Sequence, residues 1–410
     1  MRPSSAKAIA LLPLRLASLS GPFAALVARS IWHASLLARL ALLGFLAYPL
    51  AANPVFTLTD LGTPGGAHSM AFGVSPAGWV TGAAMTPDGR WQAYVDRGSS
   101  GMVDLGATCG VCVESRAAGA NRSGVVAGTA YLLSGAQAAV WTGSGAPQLL
   151  GTLGGGESWA VAINAGGAVA GTAQTAGGQG QAFLYRNGVL EGLGTFAGGT
   201  WSTGMALNDA GVVAGYGDIA PGVSRGFVRG AGGLAPIGTF GGANSYALAI
   251  NNKGAVAGHA QDAAGYLRAF LFENGQMTAL GSLGGLASFA YGINSLGWVV
   301  GSALRADGTE AAFLWKDGIL LDLNSLVPSL GDWRLAAAQA INDQGQIAGW
   351  GWYQGQMRAF RLDPATGGLE SAPAREAMLE NPEPASAVLA GISLILLVYL
   401  RQRQLRAGSR

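Results

Sequence analysis

The side chains able to do chemistry are few and scattered. His33, His68 and His259 lie far apart, and neither His68 nor His259 has a partner at metal-ligand spacing, so both read as surface or turn residues. Asp88, Asp218, Asp262 and Asp307 come singly, where a calcium loop needs clustered acids, and they read as turn formers between second and third strands. No Gly-x-Ser-x-Gly elbow is present. Catalysis needs a nucleophile, base or metal ligands gathered in one place, so the expectation is no enzyme, no catalytic residue, no cofactor and no metal. Cys109 and Cys112 form Cys-Gly-Val-Cys. One such pair supplies two ligands where structural zinc takes four. It also does not open a helix as a redox motif does, so a small-loop disulfide is the favoured reading.

The elements that must position these residues are short strands. The 410 residues include 67 Gly and 16 Pro, and only 11% are charged against about 25% in an ordinary globular protein. That excludes a helical bundle and a coiled coil. A mean hydropathy of +0.33 excludes a disordered polyelectrolyte. Net charge is +5 over residues 1–52, −6 over 53–380 and +3 beyond. The basic ends look like targeting segments and the acidic middle would repel phosphates, so no nucleic-acid partner is expected.

The middle is a tandem repeat. Variants of Leu-Gly-Thr-Leu-Gly-Gly begin at Leu61, Leu105, Leu150, Leu193, Ile237, Leu280 and Leu323, a period of about 44 residues. A second phrase places Asn121, Asn164, Asn208, Asn251, Asn294 and Asn342 in Asn-x-x-Gly, with Ser75 substituting in the first copy. Between two apolar runs, Asn-x-x-Gly suits a four-residue hairpin turn capped by the Asn side chain and closed by a left-handed Gly. Six positions before the Asn stands Ser in six copies and Ala336 in the last, while in six copies the residue just before it is bulky, as in Ile250 and Ile293. Alternation of a small and a bulky face predicts repeats stacked face to face, none able to bury both faces alone.

Seven units with about four strands each predict an all-β, seven-bladed β-propeller over residues 53–370, with an open β-solenoid as the alternative. Residues 55–61 resemble a last strand and could complete the seventh unit, although Gly367–Glu370 could supply that strand locally. Trp159 and Trp201 fall near the starts of innermost strands, where aromatics pack between blades or stack on sugar rings.

The ends carry address signals. Residues 1–52 have scattered Arg and Lys, an apolar stretch and Leu50-Ala51-Ala52 before Asn53, the order of a secretory signal peptide; an uncleaved anchor is the alternative. Residues 371–384 form a linker ending in Pro382-Glu383-Pro384. Residues 385–400 are an uncharged run read as a transmembrane helix, and 401–410 form a basic cytoplasmic tail with Arg401 and Arg403.

The C-terminal order of Pro-Glu-Pro, apolar run and Arg-rich tail resembles the PEP-CTERM sorting signal. That resemblance implies recognition and cleavage by an exosortase-type processing enzyme in the inner membrane. A plain C-terminal anchor remains the alternative. The repeat resembles the HAF repeat through its Ala-Phe core, as in Ala182-Phe183 and Ala312-Phe313, although Gln181, Arg268, Ala311 and Arg358 replace the His. The family implies an exported location and no defined chemistry. The expected function is a non-catalytic surface or extracellular-matrix protein, held transiently by its C-terminal helix and then delivered to the cell surface. Exopolysaccharide is the candidate ligand. A secreted glycan-active propeller enzyme and a membrane-held periplasmic scaffold are the alternatives.

Overall fold

In a computed structural model, the described residues are 55–365 apart from 99, 100, 144 and 231. The expected signal peptide, the linker with Pro382, Glu383 and Pro384, the transmembrane run 385–400 and the tail with Arg401 and Arg403 lie outside them. Among the described residues, no helix is long and apolar enough to cross a membrane.

The described chain folds into seven four-stranded antiparallel sheets. These are the blades of a β-propeller, with strands a to d counted outward from the central axis. Strand a of blades 1 to 7 is Ser69–Val74, Cys112–Ala120, Gly154–Ile163, Ser202–Leu207, Gly241–Ile250, Gly284–Ile293 and Trp333–Ile341. Strands a and b meet at the Asn-x-x-Gly turns. In blade 3, Asn164 N–H donates to the Ala168 carbonyl, Gly167 N–H donates back to the Asn164 carbonyl, and Gly167 takes φ +81°. A non-glycine residue there would be strained. Because strands alternate in direction, the Asn turns and c–d turns share one end of the propeller, the lower face. The b–c turns and d–a connections share the other, the upper face.

The ring is closed by the N-terminal strand. Phe56–Gly62 pairs antiparallel with Gln356–Pro364, in the register Phe56↔Pro364, Leu58↔Leu362 and Asp60↔Phe360. It forms strand d of blade 7, which excludes the open solenoid. The alternative local strand at 367–370 lies outside the described residues, and the place it would take is filled by residues 56–62. Phe56 is fully buried among Leu335, Phe360 and Leu362.

Each blade buries one large aromatic side chain against its neighbour. Strand c supplies Tyr94, Phe183, Phe227, Phe270, Phe313 and Phe360, each opposite a strand-b glycine, as in Phe183↔Gly171. A Cβ at Gly171 would collide with the Trp159 carbonyl and the Phe183 ring, so the glycine makes room for the aromatic column. Blade 2 has Ala139 at that place and buries Trp141 two residues later.

The repeated Ser is a clasp between blades. Ser158 Oγ accepts from Ala138 N–H of the preceding blade at 2.9 Å and donates to the Gly151 carbonyl. Ser69, Ser115, Ser202, Ser245 and Ser288 likewise accept from the preceding blade, Ser69 from Ala359 across the closing seam. Blade 7 has Ala336 instead. There Asn324, in the connection leading into the blade, bonds both the N–H and the carbonyl of Leu335 on strand a.

One sequence expectation fails at strand a. The alternation of small and bulky faces predicts a regular strand up to the Asn, whereas the pairing register slips in every blade, between Ala71 and Gly73 in blade 1 and between Ala160 and Ala162 in blade 3. A bulge sets two residues against one and breaks the period of two. A run of small residues gives no sign of it.

Candidate functional site

The seven bulges converge on the axis. The unpaired residue of each, Phe72, Ala118, Val161, Met205, Leu248, Tyr291 and Gln339, lines a central channel of about 570 Å3. That volume lies within the range of about 300–1,000 Å3 typical of ligand sites. The seven residues are all different, although Ser and Asn recur nearly unchanged on the same strands. A constant scaffold therefore presents a variable inner surface, and comparing the repeats for the position that varies most would have found these residues.

Two positions before each bulge, nearer the upper face, stand Met70, Arg116, Trp159, Thr203, Tyr246, Phe289 and Ala337, again all different. Trp159 is half-buried and lines the channel. Arg116 lines it too, its guanidinium carbon 5.5 Å from the Tyr131 ring centre. Among the described residues, Arg116 is the one charged side chain of the channel wall.

Over blades 4 to 6 the rings are continuous. Trp201 meets Tyr216 at 5.8 Å, Tyr216 meets Tyr246 at 5.0 Å, Tyr246 meets His259 at 4.9 Å, and His259 meets Phe289 at 5.1 Å. Phe289 then stacks on Tyr291, which lines the channel. Every member is only half-buried, so the row is both interblade packing and an aromatic shelf leading to the axis. Burial pushes the Tyr216 and Tyr291 hydroxyls up from their ordinary value and His259 down to about 4. All three are neutral at pH 7.

The residues singled out in the sequence are dispersed around this channel. His259 lies in strand b of blade 5 within the aromatic row, not at the surface. His68 Nδ1 accepts from Met357 N–H, joining blade 1 to the closing blade. Asp218 is no turn former: it reaches the connection just before strand a of its own blade and accepts from Thr200 and Trp201 N–H, bonds that outweigh burial and lower its pKa. Asp88, Asp262 and Asp307 do sit at b–c turns, accepting from Thr86, Ala264 and Thr309 respectively. Among the described residues, no group of His, Cys, Asp or Glu could hold a metal ion. Cys109 and Cys112 form a disulfide with Cα atoms 5.4 Å apart, stapling the connection into blade 2.

Asn121, Asn164, Asn208, Asn251, Asn294 and Asn342 all lie at a–b turns on the lower face, away from the aromatic shelf. Their Oδ1 atoms cap the turns, as Asn251 does for Lys253 and Ala255 N–H. They also do something unforeseen: Nδ2 of Asn164, Asn208, Asn251 and Asn294 donates to the main-chain carbonyl of the next turn Asn, 2.9–3.2 Å away. One residue serves as both turn cap and interblade tie.

No protein-family model matches the chain, and no curated protein matches it. The fold is similar to solved propellers. The β-propeller domain of the Trilobed protease from Pyrococcus furiosus is 10% identical, with TM-score 0.41, covering 80% of this chain and 98% of that one. A gluconolactonase from Xanthomonas campestris is 11% identical, with TM-score 0.38 and coverage of 78% and 93%. A puromycin-hydrolyzing peptidase from Mycobacterium tuberculosis is 12% identical, with TM-score 0.45 and coverage of 78% and 56%. These likenesses correct the expectation of a non-enzyme. A gluconolactonase and a puromycin-hydrolyzing peptidase stand among the similar folds. At such identities the likeness shows the fold alone and assigns no reaction.

Proposed function

We propose that this chain is an exported surface or extracellular-matrix propeller that binds a glycan at the upper mouth of its central channel. The observation that carries the binding site is the convergence of variable, ring-bearing side chains, Phe72, Trp159 and Tyr291 among them, on a channel built by otherwise constant repeats. Flat rings with polar rims suit a ligand that is itself apolar on its faces and polar at its edge, as a pyranose is.

Export is supported by the order of elements at both chain ends and by the Cys109–Cys112 pairing, a bond that persists in oxidising compartments. In this reading an exosortase-type enzyme recognises Pro382-Glu383-Pro384 and the run that follows, with Arg401 and Arg403 on the cytoplasmic side. The membrane holds the chain only until the tail is removed. The HAF-like repeats are then the exported working part.

The test is a binding panel of soluble polysaccharides against the full chain and a Trp159→Ala variant. The expected result is binding of at least one polymer, weakened roughly tenfold by the substitution. Equal binding by both proteins would move the site off the channel.

A further inference from the structure

We infer that the channel mouth selects acidic glycans, with Arg116 taking the carboxylate of a uronic acid residue while the neighbouring rings take the sugar face. The inference deepens the glycan reading above and rests on it.

The argument is one of charge and orientation. Residues 53–380 carry net charge −6, yet the one charged side chain on the channel wall among the described residues is a cation. Arg116 is exposed, and none of the ion pairs among the described residues includes it. Glu114, on the same strand, pairs across to Tyr131 and does not line the channel. The guanidinium carbon lies 5.5 Å from the Tyr131 ring centre, and no hydrogen bond or ion pair among the described residues engages its N–H groups. Those groups form a planar fork matched to a carboxylate.

The remaining wall favours a sugar ring behind that carboxylate. Phe72, Trp159 and Tyr291 give aromatic surface around the same axis, and Gln339 gives an amide for hydroxyls. A nucleotide would bring two or more negative charges to one cation. A simple inorganic anion would leave the aromatic wall unused. A uronic acid pairs one carboxylate with one guanidinium and has a ring to stack.

The experiment uses the full chain and one oligosaccharide in two forms: a defined oligouronate, and the same oligomer with its carboxylates reduced to primary alcohols. Calorimetric titration of wild type should show the oligouronate binding roughly tenfold or more tightly than the reduced form, the worth of one charge-assisted pair. Arg116→Gln should remove that preference, bringing the two oligomers to the same affinity, whereas Arg116→Lys should keep part of it. Equal affinity for the two oligomers in wild type, or a preference surviving in Arg116→Gln, overturns the acidic-glycan inference while leaving the glycan reading intact. Binding of neither oligomer overturns the inference, and the polysaccharide panel then decides the glycan reading separately.

Discussion

Asn342 Nδ2 donates a hydrogen bond to the main-chain carbonyl of Ser75 at 3.0 Å, across 267 positions of sequence. It continues the tie that runs Asn164, Asn208, Asn251, Asn294 and Asn342, and it carries that tie from the seventh blade into the first. In blades 3 to 7 the turn that ends the innermost strand therefore also fixes its blade to the next. Rigid spacing of those strands is what holds the channel rings in one arrangement.

Asn251→Ala should destabilise the protein by about 2–3 kcal/mol, because it removes two turn bonds and the bond to Asn294 together. Asn121 keeps its turn bonds to Ser123 and Val125 but, among the described residues, makes no bond to the next blade. Asn121→Ala should cost about 1 kcal/mol less. Denaturant melts of the two variants test the difference, and equal losses would remove the interblade role.

Phe56→Ala should cost about 3–5 kcal/mol, since the ring is fully buried in the blade 7 core. Deleting residues 55–61 goes further and opens the seam. Hydrogen exchange in the deletion variant should rise around Phe360 before it rises around Phe270. Unchanged protection at 356–362 would contradict closure by the N-terminal strand.

The repeat period, the Asn turns, the four-strand unit and the closing strand were all legible because each recurs and obeys a simple local rule. The channel was not. Phe72, Ala118, Val161, Met205, Leu248, Tyr291 and Gln339 share no residue type, so a search for what recurs passes over them and only a search for what varies meets them. The bulge that turns them inward is invisible among Ala and Gly, which tolerate either register. The settings of Asp218 and His259 are hidden for another reason: their surroundings come from neighbouring strands and blades that local spacing does not reveal.

His259 makes stability depend on pH. Its pKa is about 4 in the folded chain against an ordinary 6.5, because burial disfavours the imidazolium. Above pH 6.5 the ring is neutral in both states. As pH falls from 6.5 to 4, the unfolded chain takes up a proton that the folded chain refuses, so stability declines by at most about 3 kcal/mol. His259→Phe keeps a ring between Tyr246 and Phe289 and should flatten this part of the pH profile of Tm. A profile parallel to wild type would contradict the assignment.

Delivery is read from the mass of the product. Protein recovered from the cell surface should begin near Asn53 and lack the segment from Leu394 to Arg410. Surface material that retains that segment would remove the sorting reading, and full-length chain kept in the inner membrane would favour the periplasmic scaffold.

The central claim is that the ligand enters the channel from the upper face. Carbene footprinting of the full chain with and without a bound polysaccharide tests it residue by residue. The account predicts that protection falls on Phe72, Arg116, Trp159 and Tyr291, with labelling of the lower-face turns at Asn251 and Asn294 unchanged. Protection confined to those turns or to the outer strands, with the four channel residues labelled equally in both states, would contradict it.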